Sequence, residues 1–293
     1  MTFKSGFVTI IGRTNVGKST LINKILKEKF LIVTDKPQTT RNKISTIYNG
    51  DNSQIIFLDT PGMHKPKNKF SENLVRETRS TLGEVDVVIF MVDSSMTIGP
   101  GDQFIIDILK TVNLPIVLVI NKTDMVSQGE VSQLIEKYQQ FDFISDIVCI
   151  SALENRNVDG LLRTIEGYMP EGPEYYPRDM VIDQTERKIV SELIREKLLM
   201  YLRDEVPHGV FVRIDSMKER ENQKIIDIDA TIICEKDSHK GIIIGKGGRK
   251  LKGIGKSARE DIEKMLGSKI FLQLWVKVKK NWRNNDYYLK QMK

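Results

Sequence analysis

The chain of 293 residues is 40% hydrophobic and 29% charged, which is typical of a globular protein and unlike a disordered or repetitive chain. Two domains are expected at this length, because single hydrophobic cores usually stop growing before such a size. No apolar run approaches the roughly 20 residues of a membrane-spanning helix, and the N-terminus lacks a signal-peptide pattern. With two cysteines, both in apolar stretches, the sequence predicts a cytoplasmic protein with reduced thiols.

Charge is distributed unevenly along the chain. Residues 183–293 hold 25 Lys and Arg against 17 Asp and Glu, whereas residues 1–182 hold 20 against 22. The basic excess therefore belongs to the C-terminal third. This asymmetry predicts a polyanionic partner for that region, with nucleic acid as the first candidate and an acidic membrane surface as the second.

The first 167 residues alternate short β-branched runs with segments of helical periodicity. The predicted strands are residues 7–11, 44–48, 54–58, 87–92, 116–120 and 147–150. The predicted helices are residues 17–29, 70–82, 101–111, 130–140 and 157–167. Such alternation is typical of βαβ units, so the sequence predicts an α/β domain with a mostly parallel sheet and helices on both faces.

A linker is expected after this domain. Residues 169–177 contain three prolines and a glycine and cannot continue the preceding helix. We therefore predict a first domain at 1–168, a linker at 169–182 and a second domain at 183–293.

The second domain shows a different order of elements. The predicted elements are a helix capped by Asp183, strands at 210–214 and 226–234, a glycine-rich turn at 245–248, a helix at 249–266 and a strand at 270–278. This order predicts a small α+β domain.

Residues 12–19 fit the phosphate-loop pattern G-x-x-x-x-G-K-[ST], between a predicted strand and a predicted helix. In such a loop, glycines let backbone N–H groups turn towards phosphates, and the helix N-terminus adds its positive end. Lys18 is predicted to neutralise the β- and γ-phosphates, and Ser19 to ligate Mg²⁺. The predicted phosphate-binding residues are Gly12, Asn15, Val16, Gly17, Lys18, Ser19 and Thr20.

Two later motifs, each after a predicted strand, indicate that the base is guanine. In Asn121-Lys-Thr-Asp124, the carboxylate of Asp124 can accept hydrogen bonds from two adjacent N–H donors of guanine, which adenine lacks. Asn121 and Lys122 are expected to brace the loop and cover the base. Ser151 and Ala152 can offer backbone N–H groups to guanine O6. The sequence therefore predicts binding of GTP and GDP.

Two further segments are predicted to sense the γ-phosphate. Asp59-Thr-Pro-Gly62 follows the third strand, where the aspartate can hold Mg²⁺ through water and the Gly62 N–H can contact the γ-phosphate. Thr40, in the loop before the second strand, can complete Mg²⁺ coordination in the GTP state. The alternative is a threonine that only caps this loop.

The residue after Gly62, where many GTPases place a water-orienting glutamine, is Met63. A thioether cannot orient water, so slow intrinsic hydrolysis is expected. Asn15 offers another route, because its side-chain oxygen can help to hold a monovalent cation such as K⁺ beside the β- and γ-phosphates. The predicted catalytic residues are Lys18, Thr40 and Asn15.

Residues 240–259 contain seven Lys and Arg and no Asp or Glu, and they surround the turn Gly245-Lys-Gly-Gly248. A G-x-x-G turn that opens a helix brings backbone N–H groups close to phosphates. In this order of elements it predicts a type II KH domain, which binds about four single-stranded nucleotides. The predicted RNA-binding residues are Gly245, Lys246, Gly247, Gly248, Arg249, Lys250 and Lys252.

Aromatic residues near the C-terminus leave alternatives open. Phe271 and Trp275 are expected to pack against the helix at 183–202, with stacking on bases as the alternative. The basic stretch from Lys277 onward is either an RNA contact or a frayed terminus.

The combination resembles the Era family, bacterial GTPases with a C-terminal KH domain in the TrmE-Era class of P-loop GTPases. The resemblance spans essentially the whole chain and rests on residues 12–19, 38–41, 59–62, 121–124, 194–198, 244–248 and 274–278. It implies binding of 16S rRNA near its 3′ end, a role in assembling the small (30S) ribosomal subunit, and reversible association with the inner face of the cell membrane. A monomer is expected, and the short tail after Trp282 departs from the family pattern.

Two other functions stay open at this point. A membrane-surface signalling GTPase would use its basic domain to bind anionic lipid or protein, but lipid binding requires positive charge and no glycine turn. A tRNA-modifying GTPase would need a cofactor domain for which the chain has no room.

Overall fold

The computed structural model describes residues 2–28, 30–31, 44–59, 72, 76, 78, 80–202, 209–221 and 224–285, with the backbone alone for Asp59 and Asn284. The chain divides into two compact units, residues 1–183 and 184–293. Within the described part of the chain, no helix combines the length and the apolar character that a bilayer crossing requires.

The first unit is built on a sheet whose described strands follow the order β6-β5-β4-β1-β3-β2-β7. These strands are β1 (Lys4–Gly12), β2 (Ile44–Asn49), β3 (Ser53–Asp59), β4 (Val87–Val92), β5 (Ile116–Ile120), β6 (Asp146–Cys149) and β7 (Ile182–Asp183). From β6 to β3 the neighbours are parallel, whereas β2 is antiparallel to both β3 and β7. The carboxyl ends of the parallel strands therefore lie along one edge of the sheet.

Helices cover both faces of this sheet. They are α1 (Lys18–Leu26), α2 (Pro100–Leu109), α3 (Gln128–Gln139) and α4 (Val158–Tyr168), and residues 72, 76, 78, 80 and 81 are also helical. Leu21 of α1 and Leu161 of α4 belong to one buried cluster, and Ile105 of α2 and Leu134 of α3 belong to the other. Since both faces are covered, β4 is buried along its whole length and its residues are all apolar. The predicted α/β class is confirmed.

The segment predicted as a linker lies along the first unit. Met169 is buried in its core, and the backbone N–H of Ser5 donates to the carbonyl of Pro170 over 3.1 Å. The side-chain oxygen of Gln54 accepts from the backbone N–H of Tyr175 over 2.7 Å. The prolines end α4 as expected, but the extended chain that follows finds hydrogen-bond partners on the sheet instead of spanning open solvent.

This segment ends in β7, where Asp183 pairs with Ser45 of β2. The next helix, α5 (Glu186–Tyr201), has Thr185 as its N-cap residue. Asp183 therefore belongs to a strand, and its predicted role as a helix cap is wrong. The edge of β2 pairs with Ile182 and Asp183 before the helix begins.

The second unit is an α+β domain, as predicted. Its elements are α5, β8 (Val210–Glu219), β9 (Ile225–Cys234), α6 (Asp237–Ile244), α7 (Arg249–Leu266) and β10 (Lys269–Val278). The described strands follow the order β10-β9-β8, with β10 parallel to β9 and β8 antiparallel to it. Helix α5 packs on β8 and α7, and α7 packs on β10, so these helices cover one face of the sheet.

Strand β10 alternates between the covered face and the opposite face. Ile270 is buried, whereas Phe271 and Trp275 are 48% and 58% exposed. The expected packing of Phe271 and Trp275 against the first helix of the unit is wrong, because the helices cover the face that carries Ile270, Leu272 and Leu274. The guanidinium of Arg220 lies over the Phe271 ring, 5.5 Å from its centroid.

The chain after β10 turns back onto the second unit. Trp282 is fully buried, its Nε1 donates to the carbonyl of Gly209 over 3.0 Å, and its ring centroid lies 6.0 Å from that of Phe211. The interpretation of this region as a frayed terminus is therefore wrong at Trp282. Residues 286–293 lie outside the described part of the chain.

Candidate functional site

The predicted phosphate loop connects the carboxyl end of β1 to the start of α1. Gly17 is the N-cap residue of α1 with a φ of 107°, and a Cβ at this position would lie 2.2 Å from Nδ2 of Asn121. Glycine is thus required both by the left-handed backbone and by the approach of Asn121. Asn15 also has a positive φ, 68°, and its side chain is exposed. Ser19 and Thr20 lie in the first turn of α1, which carries no acidic side chain.

The ammonium group of Lys18 lies within this loop. Its Nζ donates to the carbonyls of Gly12 and Arg13 over 3.0 and 2.6 Å, and the residue is only 7% exposed. The glycine turn, the helix start and this cation form a cradle suited to an anion. The geometry fits the phosphates of a nucleotide.

Sequence reasoning missed Arg13, whose side chain ties the phosphate loop to the neighbouring strand end. Its Nε donates to Oδ1 of Asp102 over 2.7 Å, and its terminal nitrogen donates to Oδ1 of Asp93 over 3.0 Å. Burial alone would raise the pKa of Asp93, but hydrogen bonds from Ser95 and the charge of Arg13 hold it below its usual value. The one signal in the sequence was the position of Asp93 directly after β4, because ligand sites gather at such strand ends.

Asn121 joins the phosphate loop to the predicted base loops. The residue follows β5 and is 3% exposed. Its Nδ2 donates to the carbonyl of Val16 over 2.8 Å, and its Oδ1 accepts from the backbone N–H of Ala152 over 2.9 Å. The predicted bracing role of Asn121 agrees with this geometry.

The remaining base-loop residues surround Asn121. Lys122 has a φ of 63°, and Asp124 lies exposed in a short 3₁₀ turn, Thr123–Met125. The N–H of Ser151 donates to the carbonyl of Arg156 over 3.1 Å, and that of Ala152 donates to Asn121. Both N–H groups therefore donate to acceptors within the chain. The prediction that they donate to guanine O6 did not anticipate these hydrogen bonds.

The residues predicted to sense the γ-phosphate are only partly described. Thr40, Gly62 and Met63 lie outside the described residues. The backbone of Asp59 ends β3 and pairs with Ile10 of β1, so it lies at the same edge of the sheet as the phosphate loop.

The predicted G-x-x-G turn of the second unit connects α6 to α7. Gly245, Gly247 and Gly248 have φ values of 71°, 59° and 75°, a region that favours glycine. The turn is closed by a hydrogen bond from the N–H of Gly248 to the carbonyl of Gly245, over 3.1 Å. Helix α7 begins directly afterwards at Arg249.

A groove of about 870 Å³ runs between α7 and β10. Of the predicted residues, Gly248, Arg249 and Lys252 line it. Gly245, Lys246 and Gly247 belong to the turn before α7, and Lys250 lies in α7 without lining the groove. The full lining comprises Gly248, Arg249, Leu251, Lys252, Gly253, Gly255, Lys256, Arg259, Ile270, Phe271, Leu272 and Leu274. The groove thus combines a basic helix, an apolar floor and the edge of a sheet.

Comparison with known protein families agrees with this architecture. Residues 7–122 match the family described as 50S ribosome-binding GTPase, and residues 205–283 match the KH domain.

Relatives match over the full length of the chain. The protein is 59% identical to the GTPase Era of Alkaliphilus oremlandii and 57% identical to that of Alkaliphilus metalliredigens, over 100% of this chain and 99% of each relative. The GTPase Era of Clostridioides difficile is 56% identical over 98% of this chain and 97% of its own length.

Two solved structures share the fold. One is a crystal structure of Era in complex with MgGDPNP and nucleotides 1506–1542 of 16S ribosomal RNA, with a TM-score of 0.95, 39% identity and coverage of 99% of this chain and 98% of that one. The other is a variant of Aquifex aeolicus Era bound to GDP·AlF₄⁻, with a TM-score of 0.94, 38% identity and coverage of 99% of both chains. The resemblance inferred from the motifs is confirmed, and the chain belongs to the Era family of GTPases.

Proposed function

We propose that the chain is a GTP-hydrolysing switch that binds magnesium-loaded guanine nucleotide in its first unit and single-stranded RNA near the 3′ end of 16S rRNA in its second. We further propose that it acts in the cytoplasm, as a monomer, in assembly of the 30S subunit. The observation that carries this proposal is one chain holding both the cradle centred on Lys18 and the basic groove beside β10. The Era structure in complex with MgGDPNP and 16S rRNA nucleotides supports the same combination.

In the first unit, Lys18 neutralises the β- and γ-phosphates, while the N–H groups at the start of α1 orient them. Bound Mg²⁺ would neutralise further phosphate charge, held by Ser19, Thr40 and Asp59. Asp124 selects guanine because its carboxylate pairs with two adjacent N–H donors of that base. Retention of GDP and GTP, but not ADP or ATP, by the purified protein in equilibrium titrations tests this assignment; equal affinity for adenine nucleotides would overturn it.

Asn15 is proposed to help a potassium ion stabilise the charge that develops between the β- and γ-phosphates. Asn15 lies within the phosphate loop with a positive φ, and its side chain is exposed. We expect GTP turnover to be faster in potassium than in sodium buffer, and Asn15→Ala to remove this difference while GDP binding persists. Equal turnover in both buffers, with no effect of the variant, would rule the role out.

In the second unit, the groove suits a single strand because it offers cations for phosphates and an apolar floor for bases. Titration with RNA of nucleotides 1506–1542 should give tight binding, which acidic vesicles at matched salt should not displace. Crosslinking should map the contacts to the unpaired 3′ segment. Preferential capture by vesicles would favour the alternative, a membrane-associated GTPase whose basic domain binds anionic lipid.

The cations of the groove should determine the salt dependence of RNA binding. The double variant Lys252→Ala and Lys256→Ala removes two groove cations and should reduce the slope of log affinity against log salt by about 1.4, at roughly 0.7 for each contact to a single strand. Lys264→Ala, which removes an exposed cation from the same helix outside the groove, is the matched control and should leave that slope unchanged.

A further inference from the structure

Helix α7 contains two interior glycines, Gly253 and Gly255, although glycine weakens a helix relative to alanine. At Gly253 the packing of the unit explains the choice. A Cβ there would lie 3.0 Å from Cε1 of Tyr201, whose hydroxyl is 3.0 Å from Oγ of Ser257. The ring of Tyr201 would have to shift by a few tenths of an ångström to admit a side chain at position 253.

No such neighbour explains Gly255. Among the described residues, the single atom that its Cβ would meet within 4 Å is Cδ1 of Leu274, at 3.5 Å, which is an ordinary van der Waals distance. Its backbone is helical, so alanine fits there without strain. The described residues therefore leave room for a methyl group at position 255, and their packing gives no reason for glycine there.

Gly255 lies within the groove wall, on the face of α7 that also carries Lys252, Lys256 and Arg259. Opposite it, Leu274 of β10 supplies an apolar surface. The wall at Gly255 is thus a bare patch of helix backbone, bordered by three exposed cations. A flat, apolar ring fits such a patch, while the phosphates of the same strand pair with the cations.

We infer that Gly255 is the point where a nucleobase of the bound strand lies directly against helix α7. This inference deepens the proposed RNA-binding function and rests on it. The absence of a side chain sets how closely the base approaches the helix, so Gly255 is a positioning residue for single-stranded RNA. Any methyl group at this position moves the base away from α7 and from its contact with Leu274.

The test is Gly255→Ala in the full chain, because the fold and the ligand place opposite demands on this residue. Alanine is the better helix former, so the unfolding temperature of the second unit should stay equal or rise. Affinity for RNA of nucleotides 1506–1542, measured by fluorescence anisotropy, should fall at least tenfold. The salt dependence should keep its slope, because no cation is removed. GDP affinity should not change.

Gly241→Ala in α6 is the matched control, since a Cβ there meets no atom of the described residues within 4 Å and Gly241 does not line the groove. It should keep the RNA affinity of the wild type. Gly253→Ala should instead lower the unfolding temperature. Wild-type protein that fails to bind the RNA would remove the proposed function and this inference together. Wild-type binding with Gly255→Ala within twofold of it, or unfolding of that variant, would overturn the inference alone.

Discussion

At the scale of single residues, Asn121 joins the phosphate loop to the predicted base loop. Its amide donates to Val16 in the phosphate loop and accepts from Ala152 in the base loop. Gly17 leaves free the space that this amide occupies. The two loops therefore behave as one preorganised site.

Replacing Asn121 with alanine should separate the two loops. The change leaves the carbonyl of Val16 and the N–H of Ala152 buried without their partner, which should lower the unfolding free energy of the first unit by about 2–4 kcal/mol. Affinity for GDP should fall by about 10- to 100-fold, which is on the order of 1.4–2.7 kcal/mol. Urea denaturation and titration with a fluorescent GDP analogue measure the two effects.

Asn23 provides the matched control for this variant. It also bridges backbone groups, donating to the carbonyl of Leu31 over 2.7 Å and accepting from the N–H groups of Phe30 and Leu31. Asn23→Ala should therefore lower stability with little direct effect on selection of the base. Equal loss of GDP affinity in both variants would contradict the proposed role of Asn121.

The motif residues of this site could be predicted because their spacing is local and the chemistry of each is specific. Lys18, Asn121 and Asp124 each follow a strand that the sequence marks clearly. The ion pairs of Arg13 could not be predicted, because Asp93 and Asp102 are 80 and 89 positions away along the chain. The parallel register of β1 and β4 brings Asp93 to Arg13, and the packing of α2 against β1 brings Asp102 there.

At the scale of elements, the turn that follows β10 closes one end of the second sheet. Trp282 covers Phe211, and its indole N–H is satisfied by the carbonyl of Gly209. A short, basic C-terminal stretch gives no periodic signal, so the sequence left this element undecided. The sequence of β10 clearly alternates between two sets of side chains. It did not reveal that the set with Phe271 and Trp275 would be exposed, on the face opposite the helices.

Trp282→Ala should destabilise the second unit by about 3–5 kcal/mol, because it empties a fully buried aromatic site. Trp282→Phe keeps most of the packing and loses the hydrogen bond to Gly209, so it should cost about 1–3 kcal/mol. Differential scanning calorimetry in the presence of saturating GDP should assign the change to the second unit. An unchanged unfolding temperature in Trp282→Ala would show that the turn is dispensable.

At the scale of the whole molecule, the first unit extends to Asp183, so it includes residues 169–182, the segment predicted as a linker. Prolines predicted the end of α4 correctly, but they could not show that the next residues bind along the sheet. That outcome depends on long-range partners such as Ser5 and Gln54.

This boundary predicts different behaviour for two truncated chains. Residues 1–183 should unfold cooperatively and bind GDP within about twofold of the full chain. Residues 1–168 should be less stable by at least about 2 kcal/mol, because they lack Met169 and the hydrogen bonds of the segment that follows. Circular dichroism melts and GDP titrations compare the two, and equal stability would contradict the boundary.

The pairing of β7 with β2 also determines how much of the chain before Gln184 is held on the sheet of the first unit. Strand β2 follows residues 32–43 directly, and the N–H of Ile47 donates to the carbonyl of Val181 over 2.9 Å. While these bonds hold, the chain directly before Gln184 is bound to the sheet of the first unit. If β2 released its outer edge, residues 177–183 would come free and add a reach of about 25 Å. The pairing of one strand edge thus decides whether residues 177–183 are held on the sheet or released as extended chain.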